Sequence, residues 1–131
     1  MNNEDVLNLE VLKEFEQYGE DGASILIEAI SLFLEDSQLQ LNRLHASLKA
    51  MDAAGIERLA HTLRGSSATL GATRLADLCN VLEQAAAKGI LKDADDLLAQ
   101  IAAETAEVQL ALKAESERLQ SNSEDSDTVY V

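Results

Sequence analysis

The sequence predicts an all-α protein, organised as an antiparallel four-helix bundle with a short N-terminal capping helix. The 131-residue chain has no proline and only six glycines, so few residues interrupt a helix. Aromatic residues make up only 3% of the chain, whereas alanine, leucine, glutamate and glutamine are abundant. Apolar residues also recur every three or four positions through long segments, which indicates amphipathic helices. This length supports one domain with its own core.

Five helical segments follow from this periodicity and from residues that favour helix ends. The side chains of Asn8 and Asp52 can accept hydrogen bonds from the first turn of a helix, so both are predicted N-caps. Gly71 and Gly89 suit positions just after a helix, and Asp93 opens the last segment. The predicted helices are residues 9–18, 22–50, 53–70, 73–88 and 93–120.

The last three segments each carry an apolar stripe that predicts a shared core. Four amphipathic helices joined by short connections most simply form an antiparallel bundle, which the short first helix caps. The domain is therefore predicted over residues 1–120, with residues 121–131 as an acidic, disordered tail. The predicted core residues of the last three segments are Ile56, Leu59, Leu63, Leu70, Leu75, Leu78, Cys79, Leu82, Leu97, Ile101, Val108, Leu112 and Leu119.

The second helix departs from this pattern because it carries two stripes. One stripe is the expected core face: Leu26, Ile30, Phe33, Leu34, Leu41, Leu44 and Leu48. Ile25, Leu32 and Leu39 repeat every seven residues on nearly the opposite side, and we call them the outer stripe. We favour cover of part of this stripe by the short first helix, since long apolar patches are seldom left in water. The alternative is a docking surface for a partner.

Charge and composition limit the classes of partner. The net charge of −14 disfavours nucleic acid and anionic membranes, so the expected partner is another protein. The longest apolar runs are far shorter than a membrane span.

The cysteine content and the N-terminus indicate where the protein acts. The single cysteine, Cys79, cannot form an internal disulfide, and the N-terminus lacks the layout of a signal peptide. We therefore expect a cytoplasmic monomer.

His61 is the candidate nucleophile of this chain. At about 100° per residue, the core residues of the third helix lie opposite His61, which therefore points outward. Arg64, Gly65 and Ala68 share its face, so the imidazole stands beside a cation and residues with almost no side chain. A neutral imidazole can attack phosphorus to form a phosphoramidate. Glycine in a helix interior costs about 0.5–1 kcal/mol relative to alanine, so clearance for another protein is a plausible reason for Gly65.

The residues around His61 also carry a resemblance. The run His61-Thr62-Leu63-Arg64-Gly65-Ser66-Ser67-Ala68, followed by Leu70-Gly71-Ala72, resembles the signature of histidine-containing phosphotransfer (HPt) domains. The flanking FLEDSQLQLNRL of the second helix is also similar, and the likeness covers roughly residues 5–119. The resemblance implies a helical bundle whose histidine relays phosphoryl groups between aspartates of response-regulator receiver domains in two-component phosphorelays.

The resemblance implies a role for four residues. His61 matches the phosphoacceptor and Gly65 the glycine that admits the receiver. Arg64 stands where the family more often has lysine, and its guanidinium can stabilise phosphoryl oxygens. Glu83 matches a position near the histidine that often holds glutamine or glutamate; an ionised carboxylate would repel phosphate, so we expect it to orient the imidazole. No cofactor or metal is expected on this chain, and Mg²⁺ is expected on the receiver.

Other interpretations remain open at this point. The chain could be a non-catalytic helical interaction module that binds through the outer stripe, or the C-terminal HPt piece of a hybrid sensor kinase. Under the phosphotransfer interpretation, the expected partners are receiver domains of response regulators, of a hybrid sensor kinase, or of both. His45 borders the core stripe of the second helix and is interpreted as structural or inert. Because the glycines follow no strand and form no phosphate-binding loop, no ATP-dependent kinase activity is expected.

Overall fold

A computed structural model describes the backbone of residues 6–18 and 21–129, with side chains described to residue 121. All five predicted segments are helical, and the described residues contain no strand. Each helix begins within one residue of its predicted start. The helices are α1 (Leu9–Glu16), α2 (Gly22–Lys49), α3 (Ala53–Thr69), α4 (Thr73–Ala87) and α5 (Ala94–Val129).

The two predicted N-caps and the two glycines predicted to follow a helix take these positions in the structure. Asn8 Oδ1 accepts a hydrogen bond from the backbone N–H of Glu10 at 3.1 Å. Asp52 Oδ1 accepts one from Gly55 at 3.0 Å, so both caps satisfy a first-turn donor that has no partner within its helix. Gly71 and Gly89 follow α3 and α4 with φ of +77° and +71°, a left-handed conformation that glycine adopts without a Cβ clash.

The four long helices pack as a closed ring. The most extensive contact joins α3 and α4, while α2 packs on both α3 and α5, and α5 completes the ring against α4. This is the predicted four-helix bundle. The predicted core residues of the last three segments are buried, except that Leu78 and Leu97 are partly exposed. A fully buried leucine contributes about 1.5–3 kcal/mol, so these stripes hold the ring together.

The short helix α1 closes one end of the bundle. Its Leu12 is buried, and Leu9 and Phe15 pack against the core. The backbone N–H of Asn8 donates to the carbonyl of Gly71 at 2.8 Å, which ties the start of α1 to the turn between α3 and α4. The predicted capping helix is therefore confirmed.

The predicted cover of the outer stripe is wrong. Ile25, Leu32 and Leu39 remain 44–54% exposed. Helix α1 has only eight residues, and it uses its apolar side chains at the end of the bundle instead of along the outer face of α2. The outer stripe is therefore an exposed apolar surface.

The end of α5 also differs from the sequence prediction. The helix continues to Val129, whereas the sequence predicts its end near residue 120. Neither glycine nor proline follows Gly89, so no strong helix-breaking residue interrupts this segment. Side chains beyond residue 121 lie outside the described part, and the boundary of the domain stays a prediction.

The two left-handed glycines permit a matched stability test. A Cβ on Gly89 would meet nothing within 4 Å, whereas one on Gly71 would lie 2.7 Å from the carbonyl oxygen of Asn8. We expect Gly89→Ala to lose about 1–2 kcal/mol from the left-handed conformation alone. Gly71→Ala should lose more, because the N-terminal segment must also shift. Urea unfolding measures both losses, and equal values would mean that the N-terminal segment accommodates the added Cβ at no cost.

Candidate functional site

His61 stands on the outer wall of the bundle, at the middle of α3. The neighbouring Ala60 and Leu63 are fully buried and fix the orientation of the helix. The His61 side chain is 63% exposed, so the ring projects away from the core as the helical spacing predicts. The imidazole is therefore accessible to a second protein.

Glu83 reaches the His61 ring from the adjacent helix. It lies on α4 next to the buried Leu82, and only 12% of its side chain is exposed. Its Oε2 is 2.9 Å from His61 Nδ1. The contact joins residues far apart in sequence, and it exists because α3 and α4 pack along their buried stripes.

Arg64 completes a closed triangle of polar contacts. Its Nε donates to Glu83 Oε1 at 2.8 Å, and its Nη2 lies 3.0 Å from His61 Nδ1. The side chain is 37% exposed. The sequence predicts that Arg64 lies near His61, but it does not reveal the ion pair with Glu83. The sequence does indicate that Arg64 and Glu83, both assigned to this site, carry opposite charges.

The contact with Glu83 bears on which imidazole nitrogen carries the proton. A neutral imidazole has one N–H and one lone pair, whereas an ionised carboxylate can only accept. When Nδ1 carries the proton, it donates to Glu83, and the lone pair of Nε2 is available as a nucleophile. Glu83 can therefore both orient the ring and select its reactive nitrogen.

The surface beside His61 is open. Gly65 is exposed, and a Cβ added to it would meet nothing within 4 Å. Packing inside this chain therefore does not require glycine at that position. A groove of about 340 Å³ continues from Arg64 and the exposed Ala68 between α3 and α4 towards α1. The other residues that line the groove are Val11, Gly71, Thr73, Ala76, Asp77 and Asn80.

Comparison with known proteins identifies the family. The Hpt domain family matches residues 28–122, a span that includes all four predicted site residues. The chain belongs to the Hpt domain family. The crystal structure of histidine-containing phosphotransfer protein B (HptB) from Pseudomonas aeruginosa PAO1 is similar, with 33% sequence identity and a TM-score of 0.79. The match covers 86% of this chain and 96% of that chain. Comparison with curated proteins gives no significant match.

Membership of this family defines the general activity. The protein is a histidine phosphotransfer protein of a two-component phosphorelay, and it is not a kinase. The TM-score of 0.79 shows that this chain shares its helical bundle with that structure. None of the helices in the described part of the chain has both the length and the apolarity required to cross a bilayer.

Cys79 lies in the core near the polar triangle. Burial raises the pKa of its thiol from the ordinary 9.0 to about 12; the negative charge of Glu83 contributes in the same direction, and Arg64 opposes it. The thiol is fully buried. It is therefore a neutral core residue, in agreement with the sequence analysis, and not a thiolate nucleophile.

The raised pKa of Cys79 predicts a loss of stability at high pH. The unfolded thiol ionises near its ordinary pKa of 9.0 and the folded thiol near 12, so the unfolded state binds fewer protons between these values. The stabilisation is fully present below pH 9 and declines as the pH rises towards 12. We expect the free energy of unfolding, measured with urea, to fall more steeply with pH in the wild type than in Cys79→Ala. Parallel pH dependences of the two proteins would contradict this assignment.

Proposed function

We propose that His61 is the phosphoacceptor and that it relays phosphoryl groups between aspartates of receiver domains. One observation carries the proposal. The His61 ring is largely exposed, while its Nδ1 lies 2.9 Å from the Glu83 carboxylate. This geometry supports a proton on Nδ1 and leaves Nε2 directed towards a partner.

The proposed transfer has two balanced steps. The lone pair of Nε2 attacks the phosphorus of a receiver's aspartyl phosphate; the P–N bond forms as the P–O bond to the aspartate breaks, and the aspartate leaves as a carboxylate. Nδ1 keeps its proton, and Glu83 faces the positive charge that the ring acquires. A second receiver's aspartate then attacks the phosphorus, the P–N bond breaks, and its electron pair returns to Nε2.

The receiver supplies most of the catalytic machinery in this proposal. Phosphoryl transfer depends mainly on positioning and charge neutralisation, so a helical surface with few polar groups is sufficient. Mg²⁺ and the catalytic groups belong to the receiver, and this chain needs no cofactor. Arg64 has further N–H groups beyond those directed at Glu83 and Nδ1, and these can donate to phosphoryl oxygens. The chain acts as a covalent phosphocarrier without ATP-dependent activity of its own.

The partners are receiver domains of response regulators or of a hybrid sensor kinase. Gly65 and Ala68 provide clearance for their loops next to His61. Arg58 and Arg64 make the charge near the ring mixed, while the net charge of −14 disfavours nucleic acid and discourages unsuitable partners. We expect the protein to act as a monomer in the cytoplasm.

The exposed outer stripe supports a second candidate function. Ile25, Leu32 and Leu39 offer an apolar surface that is separate from the polar triangle. An interaction module that acts only through this surface would keep its partner and its biological output when His61 is replaced. This outcome would separate the second candidate from the phosphocarrier.

The two histidines of the chain give a matched test of the phosphoacceptor. A phosphorylated receiver should label the wild type with an acid-labile, alkali-stable adduct, as expected for a phosphoramidate. His61→Gln should take up no label because it removes the nucleophile. His45→Gln, which alters an exposed histidine on α2, should be labelled like the wild type. Label retained in His61→Gln would exclude His61 as the acceptor.

If Gly65 provides clearance, a small side chain there should raise the stability of the fold, and a bulky one should slow transfer. Gly65→Ala should fold normally and gain about 0.5–1 kcal/mol, because alanine favours helix and its Cβ meets nothing within 4 Å. Gly65→Phe should slow transfer roughly tenfold to a hundredfold by displacing the receiver. Urea unfolding and initial labelling rates measure the two effects.

The control for Gly65→Phe is Ala106→Phe, which places the same side chain at an exposed position of α5. It should leave the labelling rate unchanged. Wild-type transfer rates in Gly65→Phe would refute the clearance argument.

A further inference from the structure

We propose that Arg64 and Glu83 compete for Nδ1 of His61 and thereby set the fraction of the ring in its reactive tautomer. Glu83 Oε2 and Arg64 Nη2 lie almost equally close to this nitrogen, at 2.9 and 3.0 Å. The inference deepens the proposed function, because "reactive" refers to attack on phosphorus by Nε2. It concerns how the site is regulated and gives Arg64 a role before any phosphoryl group is bound.

The competition follows from the valence of one atom. The ring nitrogen Nδ1 of a neutral imidazole either carries a proton and donates, or carries a lone pair and accepts. Glu83, when ionised, can only accept, and Arg64 can only donate. The two contacts therefore cannot both be hydrogen bonds at the same time, although the geometry permits either one.

Each alternative defines a different chemical state of Nε2. When Nδ1 donates to Glu83, Nε2 has the lone pair and can attack. When Nδ1 accepts from Arg64, the proton is on Nε2 and the ring is not a nucleophile at its exposed nitrogen. Exchange between the states requires loss of a proton from one nitrogen to water and gain of a proton from water by the other, so no further reactant is needed.

The ion pair between Arg64 and Glu83 keeps the two competitors together. Arg64 Nε donates to Glu83 Oε1 at 2.8 Å, so the same guanidinium that opposes the reactive tautomer also holds the carboxylate that favours it. A phosphoryl group that approaches Nε2 attracts the guanidinium towards its oxygens. Arg64 then releases Nδ1, and Glu83 is left as its partner. The arrival of the phosphoryl donor thus favours the tautomer that reacts with it.

Heteronuclear NMR of the imidazole nitrogens tests the competition without any receiver. The nitrogen chemical shifts report which ring nitrogen carries the proton, and they are followed with rising pH until they no longer change, so that the neutral ring is observed. Arg64→Met removes the donor and should raise the ratio of Nδ1–H to Nε2–H. Glu83→Ala removes the acceptor and should lower it. We expect changes of about two- to tenfold, since a charge-assisted hydrogen bond at a largely exposed ring is partly screened by solvent.

Three controls accompany these variants. His45 is exposed on α2 and provides an internal reference in the same spectrum. The double variant Arg64→Met/Glu83→Ala leaves Nδ1 without either competitor, so its ratio should approach that of His45. Arg58→Gln removes a positive charge three residues before His61 and should leave the ratio at the wild-type value. Circular dichroism checks that each variant keeps its helical content.

The results separate this inference from the proposed function. Opposite shifts in Arg64→Met and Glu83→Ala support the competition, whereas wild-type ratios in both folded variants would overturn it. The same applies if Arg58→Gln shifts the ratio as strongly as Arg64→Met, because a nearby positive charge without a contact to Nδ1 would then be sufficient. A protein that shows the opposite shifts but accepts no label from phosphorylated receivers would keep the competition and lose the phosphocarrier role.

Discussion

The apolar contact between α3 and α4 is the constraint on which the site depends. Leu63 and Leu82 are buried in this contact, and each lies within two positions of a polar site residue. Their burial brings His61 and Glu83, 22 positions apart in the chain, to 2.9 Å. Polar contacts at an exposed ring contribute little stability by themselves. The core therefore holds the site together, and the polar groups determine its chemistry.

The identity of the charged pair matters because Glu83 is largely buried. A carboxylate that is only 12% exposed loses much of its hydration and needs a partner. Arginine suits this task, since its planar guanidinium presents one N–H to Glu83 and another to the imidazole at the same time. Lysine at this position would bring a single ammonium group instead of a planar fork.

The features that the sequence predicts are those governed by local rules. Asn8 and Asp52 cap their helices because a cap involves residues only two or three positions apart, and the outward direction of His61 follows from the helical repeat. The pair of Arg64 and Glu83 depends on the registry of two helices, which no local pattern encodes. The same reason explains the outer stripe, because the sequence shows that α1 is apolar but not which end of the bundle it covers.

Backbone conformation and contacts within the chain explain Gly71 and Gly89 but not Gly65. Gly71 and Gly89 have positive φ, and Gly71 also touches the backbone of Asn8, so the fold itself explains both. Gly65 has helical backbone and open space around it, and alanine would stabilise its helix. No contact within the described chain accounts for glycine there. Clearance for a partner, as proposed above, would account for it, and Gly65 lies about one turn from the exposed side chain of His61.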